Sequence, residues 1–243
     1  MRDITLIFSY WNNPVMTNIQ IDYYGALPAD IRSHLRVILV DDCSDARPIV
    51  PANLPFDYRE YRILQHRRWD WLICRNLGMA EATTEWRIMT DIDHIVPEET
   101  LRYVMNEELD AKRAYHFSRM TLTSPTDFTQ VTAYKKHSDS WMMTGAAFDH
   151  VGGLDERYAG NYGSSGEFTG RVEAKLGKAV QLHVPLWRVG RETVPDASTP
   201  KEIDGVLTRK QPKDRAGMIE ARRRVMKEGG PPRRLTLPWE RVR

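Results

Sequence analysis

Short apolar runs rich in β-branched residues recur along the first half of the chain, and each ends in polar residues. The first two runs cover residues 4–10 and 35–42. Such continuous apolar runs are typical of strands that are buried on both faces of a parallel sheet. The segment between them has Pro14 near its start and is long enough for a helical crossover, so the pattern predicts a β-α-β unit.

The alternation of apolar runs and helical segments continues further along the chain. It predicts strands at residues 61–64, 85–93, 114–122 and 178–190, and helices at residues 69–83, 97–109 and 166–177. Gly177 is expected to end the last of these helices, because glycine is the usual residue just beyond a helix C-terminus. Strands and helices of this length predict an open α/β sheet flanked by helices, in which ligands bind beyond the carboxyl ends of the strands.

Aspartates follow the predicted strands at these ends. Asp41 and Asp42 close the second strand, and Asp91 and Asp93 close a later one. Carboxylate oxygens suit Mg²⁺ or Mn²⁺, and such ions keep coordination positions open for phosphate oxygens. The spacing therefore suggests a metal-bound diphosphate, although a solvated turn that caps the next helix would show the same pair of aspartates. His94 is either a further metal ligand or a histidine that packs at the strand end.

The composition is that of a globular protein. Of the 243 residues, 41% are hydrophobic and 28% are charged, which excludes a disordered or fibrous chain. No stretch approaches the ~18 consecutive apolar residues of a transmembrane helix, and the N-terminus lacks the features of a signal peptide. Cys43 and Cys74 show no CxxC spacing, which excludes a cysteine-based zinc site and fits a reducing compartment. We therefore expect a cytoplasmic protein with no transmembrane segment.

The charge is distributed unevenly along the chain. The net charge of +2 combines a mildly acidic body, residues 1–208, with a basic end, residues 209–243, that holds twelve Lys and Arg against four Asp and Glu. This difference predicts a main domain over 1–208 and a basic C-terminal extension over 209–243. The extension either docks an anionic partner such as nucleic acid, an acidic glycan or anionic lipid, or packs against the acidic body.

Five segments together resemble the glycosyltransferases of the GT-A fold. They are "FSYWNNP", "VDDCSD", "CRNLGMAEATTEW" leading into "MTDIDHIVP", "MTGAAFDHVGGLDERY" and "GSSGEFTGRVEAKLG". They follow the order of the family over residues 4–191, and the pattern is similar to family-2-like enzymes that carry a galactosyltransferase-type C-terminal motif. The resemblance implies a Rossmann-like, open mixed sheet for the main domain.

The resemblance also implies roles for the strand-end residues. Tyr10 and Asp42 would hold the nucleotide base, and a carboxylate can discriminate between bases because it only accepts hydrogen bonds. Arg75 would approach the diphosphate, whose oxygens match a guanidinium fork, although a surface ion pair would also explain it. Asp93 would bind the metal directly. Asp91 would contact the metal, the sugar or the ribose.

On the acceptor side the chain departs from the family in two places. Glu167 stands where the resemblance implies an acidic residue that removes the proton of the acceptor, but Phe168 replaces the second acid of that motif. Glu167 is therefore the candidate base, with Asp155 as the next one. Arg191 stands where relatives often have a metal-binding histidine, so it would supply positive charge to the leaving diphosphate or leave metal binding to Asp93.

These features predict a glycosyltransferase that depends on Mn²⁺ or Mg²⁺ and moves a sugar from a nucleotide-diphosphate donor, most often UDP in this family, to an acceptor hydroxyl. Inversion at the anomeric carbon is expected, and retention stays open. The alternative is a catalytically impaired protein of the same fold that binds a nucleotide sugar or carbohydrate. A nucleotidyltransferase is disfavoured because no glycine-rich phosphate loop follows the first strand.

Overall fold

The fold is described from a computed structural model of the 243-residue chain. The structure describes residues 1–67, 70–124, 127–134, 137–161, 164–190, 194, 202–203, 206–207 and 215–243. Arg191, one of the residues implied by the resemblance, lies outside these ranges.

Twelve strands lie in the described ranges. They are β1 (Ile4–Tyr10), β2 (Leu35–Asp41), β3 (Asp57–Ile63), β4 (Trp86–Asp91), β5 (His94–Ile95), β6 (Tyr115–Leu122), β7 (Val131–Tyr134), β8 (Trp141–Thr144), β9 (Val180–Val189), β10 (Glu202–Ile203), β11 (Val206–Leu207) and β12 (Trp239–Arg241). Ten of them form one sheet in the order β12-β3-β2-β1-β4-β8-β6-β9-β5, with β7 paired to β6, and β10 and β11 form a small hairpin. The predicted open α/β sheet is confirmed.

Seven α-helices accompany these strands in the described part of the chain. They are α1 (Pro14–Ala26), α2 (Ala29–His34), α3 (Trp71–Glu81), α4 (Glu98–Asn106), α5 (Gly145–Val151), α6 (Ser165–Leu176) and α7 (Arg215–Glu228). A short 3₁₀ turn covers Glu156–Tyr158. Gly177, with φ +77°, ends α6 as predicted.

The half of the sheet that holds β3, β2, β1 and β4 is parallel. β1 pairs with β2 from Ile4 opposite Leu35 to Tyr10 opposite Asp41, and with β4 on its other side. The sequence predicted only residues 61–64 for β3. The strand begins earlier, at Asp57. The sequence pattern missed this start because the outward positions of β3 are polar and partly exposed, which weakens the apolar signal. In this half, the carboxyl ends of β1, β2 and β4 meet at one edge.

The other half of the sheet is mixed. β8 runs antiparallel to β4 and β6, β9 runs parallel to β6, and the short β5 runs antiparallel to β9. β5 follows β4 after a tight turn at Ile92 and Asp93 and pairs with the end of β9. This turn places Asp93 and His94 beside the end of β4.

Alternating residues of the central strands pack into two cores, one on each face of the sheet. Leu6 and Phe8 of β1 contact the core under α1, α2 and α4, whereas Ile7 contacts the core under α3, α5, α6 and α7. The approach of α3 to β1 is close enough that a Cβ atom at Gly78 would overlap Cγ2 of Ile7. A residue larger than glycine there would displace α3, which carries Arg75.

The start of α1 shows why the helix begins where the sequence predicts. The side chain of Asn13 accepts a hydrogen bond from the backbone N–H of Met16 at 3.2 Å, and Pro14 occupies the first helical turn. The first backbone N–H groups of a helix have no acceptor within the helix. An N-cap asparagine accepts from one of them, and a proline in the first turn has no N–H that needs a partner. The cap therefore fixes the direction in which the chain leaves β1.

The described part of the basic C-terminal segment packs against the body of the protein. β12 pairs antiparallel with β3 and adds the last strand to that edge of the sheet. Before it, the carboxylate of Glu156 accepts hydrogen bonds from the backbone N–H groups of Leu235 at 2.7 Å and Thr236 at 2.8 Å. The division between residues 1–208 and 209–243 stays a prediction, but the structure places 215–243 against the main sheet and helices.

None of the helices in the described ranges combines the length and the apolar character that a membrane-spanning segment requires.

Replacement of Glu156 by alanine should destabilise the fold. Glu156 is 2% exposed, and it also accepts from the hydroxyl of Thr236 and the side-chain amide of Asn76. Its loss removes the acceptor of the buried Asn76 amide and of the part-buried N–H groups of Leu235 and Thr236, and a buried donor without an acceptor costs about 1–3 kcal/mol. We expect Glu156→Ala to lower the free energy of unfolding by about 2–4 kcal/mol in urea titrations.

Glu240→Ala is the matched control, because Glu240 is an exposed acid on β12. Its effect should stay within about 0.5 kcal/mol, as is usual for surface substitutions. Equal unfolding midpoints for the two variants would show that Glu156 does not anchor the C-terminal segment.

Candidate active site

The candidate site lies where β1, β2 and β4 end, at the edge of the parallel half of the sheet. Asp91 is the last residue of β4 and Asp41 the last of β2, and each pairs in register with the end of β1. Asp42, Asp93 and His94 follow directly. The aspartates predicted at the carboxyl ends of strands therefore lie at one edge of the sheet, because β2 and β4 both run parallel to β1.

Asp91 is held by two neighbours. Its Oδ1 accepts from Nη2 of Arg75 at 2.6 Å, and its Oδ2 lies 3.3 Å from Nε2 of His137. The Asp91 side chain is 41% exposed, whereas the Arg75 side chain is 1% exposed. Asp91 is thus the part of this cluster that a ligand from solvent can reach, and Arg75 supports it from below.

His137 is a site residue that the sequence analysis did not identify, because it lies in a polar segment with no periodic signal. Its Nδ1 lies 2.9 Å from Oγ of Ser140, and its ring stacks on that of His94 with centroids 4.6 Å apart. Burial lowers the pKa of His137 to about 3, and the nearby charge of Asp91 opposes this only in part. The imidazole is therefore neutral at physiological pH, and neutral imidazole is the form that binds metals.

His94 is buried between a carboxylate and a guanidinium. Its Nδ1 lies 2.7 Å from Oδ1 of Asp93, and its Nε2 lies 3.2 Å from Nη1 of Arg119. Arginine can only donate, so this arrangement places the ring proton on Nδ1 and the lone pair on Nε2. His94 packs at the strand end, and the lone pair of its Nε2 accepts from Arg119, so a metal ion would have to take the place of that guanidinium. Its role as a metal ligand stays a prediction.

Asp93 is more enclosed than Asp91. Burial opposes its ionisation, but the contact with His94 and the charge of Arg188 hold the pKa of Asp93 well below its usual range. Arg188 Nε lies 3.8 Å from Oδ2 of Asp93. Asp93 is thus an ionised carboxylate in direct contact with one histidine of the cluster.

Asp91, His94 and His137 can together hold a metal ion. Each offers one ligand atom, and these atoms all lie within 4.8 Å of one another. The Asp93 carboxylate orients His94 in the way that carboxylates behind metal-bound histidines commonly do. One carboxylate and two imidazoles suit Mn²⁺ better than Mg²⁺, which prefers ligands that are all oxygen.

Arg75 lies deeper than a diphosphate-binding residue on the surface would. Its guanidinium lies 4.4 Å from the centre of the Trp71 ring and donates to the backbone carbonyl of Asp139 as well as to Asp91. Its Nε has no hydrogen-bond partner. Arg75 thus joins α3 to the end of β4 and retains one unused donor.

The residues implied to hold the base lie at the ends of β1 and β2. Tyr10 is fully buried and donates to the backbone carbonyl of Ala46 at 2.5 Å. Asp41 accepts from Nη1 of Arg62 at 2.6 Å and from the backbone N–H of Ser44 at 2.9 Å. Asp42, in contrast, has a buried Oδ1 with no hydrogen-bond partner.

Asp70 is a second site residue that the sequence analysis missed. It is 0% exposed at the start of α3, and neither carboxylate oxygen has a hydrogen-bond partner. Burial, and then the charge of Asp70, raise the pKa of Asp42 to about 7. Burial also raises the pKa of Asp70 to about 7, although Arg67 partly offsets the effect.

The two candidate bases have different surroundings. Asp155 is 3% exposed, and both of its oxygens accept from the Arg157 side chain at distances from 2.7 to 3.1 Å. Although burial opposes ionisation, the bonds from Arg157 and from the backbone of Arg233 hold the pKa of Asp155 below its usual range. Asp155 therefore serves to cap the 3₁₀ turn and to hold the C-terminal segment.

Glu167 lies in the first turn of α6. Its two oxygens accept from Nε and Nη2 of Arg171, one helical turn later, at 2.5 and 2.8 Å, and its side chain is 20% exposed. Phe168 points into the core, 5.4 Å from the Trp141 ring between centroids, and so does not cover the Glu167 carboxylate. The roles of both candidate bases stay predictions.

Comparison with known proteins supports the resemblance. Residues 27–143 match the family model described as Glycosyl transferase family 2. Among curated proteins, none matches the chain at a significant level.

Several solved structures share the fold. TarS from S. aureus, residues 1–349 in complex with UDP-GlcNAc, aligns with a TM-score of 0.56 and 13% identity over 78% of this chain and 59% of that one. The mannosyltransferase PcManGT from Pyrobaculum calidifontis, in complex with GDP-Man and Mn²⁺, aligns with a TM-score of 0.54 and 12% identity over 96% of this chain and 66% of that one. The catalytic domain of Drosophila beta1,4galactosyltransferase 7 aligns with a TM-score of 0.50 and 11% identity over 74% and 65% of the two chains.

This chain thus spans about three fifths of the TarS structure's length. At such identities the likeness establishes the fold. The predicted resemblance to glycosyltransferases of the GT-A fold is confirmed, and the family-2 match supports a glycosyltransferase.

The raised pKa values of Asp42 and Asp70 make stability depend on pH. An unfolded aspartate has a pKa of about 3.9, whereas both folded values are about 7. The folded state thus binds more protons between pH ~4 and ~7, and stability falls as the pH rises through this window. Asp70→Asn removes one titrating group and also removes the charge that raises the pKa of Asp42. Between pH 5.5 and 7.5 the free energy of unfolding of the variant should therefore fall by about 2 kcal/mol less than that of the wild type. Parallel curves of melting temperature against pH for variant and wild type would contradict the assignment.

Proposed function

We propose that the chain is a metal-dependent glycosyltransferase that moves a sugar from a nucleoside diphosphate sugar to an acceptor hydroxyl. The observation that carries this proposal is the cluster of Asp91, His94 and His137 at the sheet edge where Asp42 also lies. In this proposal the metal site lies at the end of β4 and the base site at the end of β2, on either side of β1. Donors are observed in both TarS, with UDP-GlcNAc, and PcManGT, with GDP-Man. UDP is the nucleotide expected from the resemblance.

The metal would be held by Asp91, His94 and His137, with Asp93 behind His94. The donor set fits Mn²⁺, the ion present in the PcManGT structure. A bound divalent ion would neutralise the charge that develops on the leaving diphosphate. The protein itself contributes Arg75, which fixes the orientation of Asp91 from a buried position, and Arg191, which is proposed to supply positive charge to the phosphates.

The proposed reaction is a single displacement with inversion. The bond between the anomeric carbon and the diphosphate oxygen breaks while the acceptor oxygen bonds to that carbon, and the acceptor proton passes to a carboxylate. Glu167 is a better candidate for this carboxylate than Asp155, because Glu167 is partly exposed and is held only by Arg171 of its own helix. Asp155 would have to give up several bonds that hold the C-terminal segment.

The acceptor is open. Arg222, Arg223 and Arg224 are exposed on α7 and make an anionic acceptor reasonable, in keeping with the predicted role of the basic segment as a docking surface for a glycan, nucleic acid or lipid. The rival function is a nucleotide-sugar or carbohydrate-binding protein without turnover. Release of free nucleoside diphosphate from a donor in the presence of enzyme and Mn²⁺ distinguishes the two.

Removal of the proposed metal ligands should abolish metal-dependent donor binding. We expect His137→Ala to weaken Mn²⁺ binding at least about tenfold, since ligands and their supporting groups typically contribute this much, as measured by calorimetry.

Asp93→Ala should likewise abolish Mn²⁺-dependent donor binding, because it releases His94. His183→Ala is the matched control, since His183 lies exposed on β9. Full Mn²⁺-dependent turnover in Asp93→Ala would refute its role.

Glu167→Gln keeps the shape of the side chain but cannot take a proton. Positioned general bases contribute about 10²–10⁴-fold to rate, so acceptor transfer should fall at least tenfold while donor and metal binding stay normal. Glu173→Gln, a substitution of an exposed acid on the same helix, serves as the control. Transfer by Glu167→Gln at the wild-type rate would show that Glu167 only stabilises the first turn of α6 and the Arg171 pair.

A further inference from the structure

Two buried carboxyls at the candidate site have oxygens that are poorly satisfied by the described residues. Asp42 is 7% exposed and Asp70 is 0% exposed. Within the described residues, Oδ1 of Asp42 and both oxygens of Asp70 have no partner with good hydrogen-bond geometry, although the backbone N–H groups of Asp70 and Ile73 face Asp42 and Asp70, respectively, and favour their ionised forms. A buried acceptor without a well-placed donor destabilises the folded state, so these three oxygens favour the binding of a ligand that supplies donors.

The described groups around this pair relieve it only in part. Arg67 is the one described cation that faces both, and its Nη1 lies 3.6 Å from Oδ2 of Asp70, beyond hydrogen-bond distance. The other charged groups that face the pair are acids, Asp41 and Glu156, and both are occupied by donors of their own. The thiol of Cys74 is buried beside them and neutral, because burial raises its pKa well above the ordinary value.

The chemistry of the pair selects the part of a donor that it can bind. Carboxylates repel phosphates, so the diphosphate lies away from Asp42 and Asp70. On α3, Arg75 lies more than one turn after Asp70 and donates to Asp91 of the candidate metal cluster. A nucleotide whose phosphates are bound through a metal ion at the Asp91 cluster leaves its base for the end of β2, on the other side of β1, where Asp42 and Asp70 lie. This step rests on the proposed function.

The bases differ in how many donors they present. Uracil has one N–H on its pairing edge, and adenine and cytosine have an amino group beside a ring nitrogen whose lone pair would face the carboxylates. Guanine presents N1–H beside N2–H₂, and a carboxylate accepts from two such donors at once. We infer that Asp70 is a second base-recognising carboxyl beside Asp42, and that the pair selects a guanine nucleotide.

The test is a comparison of GDP and UDP in binding to the full chain with Mn²⁺, by calorimetry at pH 7.5. The wild type should bind GDP at least about tenfold more tightly than UDP, as for one well-placed pair of hydrogen bonds. Asp70→Asn should lower the affinity for GDP about tenfold and change that for UDP less than about twofold. The ratio of the two affinities is a readout that a loss of general stability would not move.

Glu60→Gln is the matched control, because Glu60 is also a buried carboxyl, on β3 beside Arg47. It should leave both affinities within about twofold. Tighter binding of UDP than of GDP by the wild type overturns the inference and leaves the proposed function standing. An equal loss of both nucleotides in Asp70→Asn also overturns it, since that indicates a contact to the ribose. Binding of neither nucleotide to the wild type overturns the proposed function as well.

Discussion

The ion pair between Arg75 and Asp91 connects the parts on which the candidate site depends. Arg75 is 1% exposed on α3, and its guanidinium stacks on Trp71 and donates to both the end of β4 and the backbone of Asp139. A buried guanidinium must find acceptors, because it cannot lose its charge inside the protein. Asp91 satisfies part of that need and is thereby held at the surface of the site with a fixed orientation.

This arrangement explains why a carboxylate that is 41% exposed can still be a well-positioned ligand. The second oxygen of Asp91 faces His137, whose ring stacks on His94. Ser140 holds the far nitrogen of His137 and also lies 2.6 Å from the hydroxyl of Thr90 on β4. The order of the cluster therefore comes from α3, β4 and the segment before β8 together, and no single element provides it.

Much of the fold could be predicted from the sequence, because apolar runs and their polar ends follow directly from burial on two faces of a parallel sheet. The strand-end aspartates could be predicted for the same reason. His137 and Asp70 could not. His137 lies in an irregular polar segment that only tertiary packing brings to Asp91, and Asp70 reads as an ordinary N-cap residue although its side chain forms no capping bond. β12 was also not predicted as a strand of the main sheet, because a short, exposed, basic segment carries no periodic signal and forms by pairing with β3.

The segment with the sequence "GGLDERY" shows how a motif can acquire a structural role. Its two acids, Asp155 and Glu156, accept hydrogen bonds from the backbone of the C-terminal segment, and Asp155 also accepts from Arg157. Glu156 also accepts from Asn76, which follows Arg75 on α3 and exchanges hydrogen bonds with the backbone of Leu154. The acceptor-side loop, the C-terminal segment and the helix that carries Arg75 are therefore joined through one buried carboxylate. Buried groups of this kind tolerate little displacement without loss of their hydrogen bonds. A shift of the C-terminal segment would therefore change the position of α3 and, through Arg75, that of Asp91.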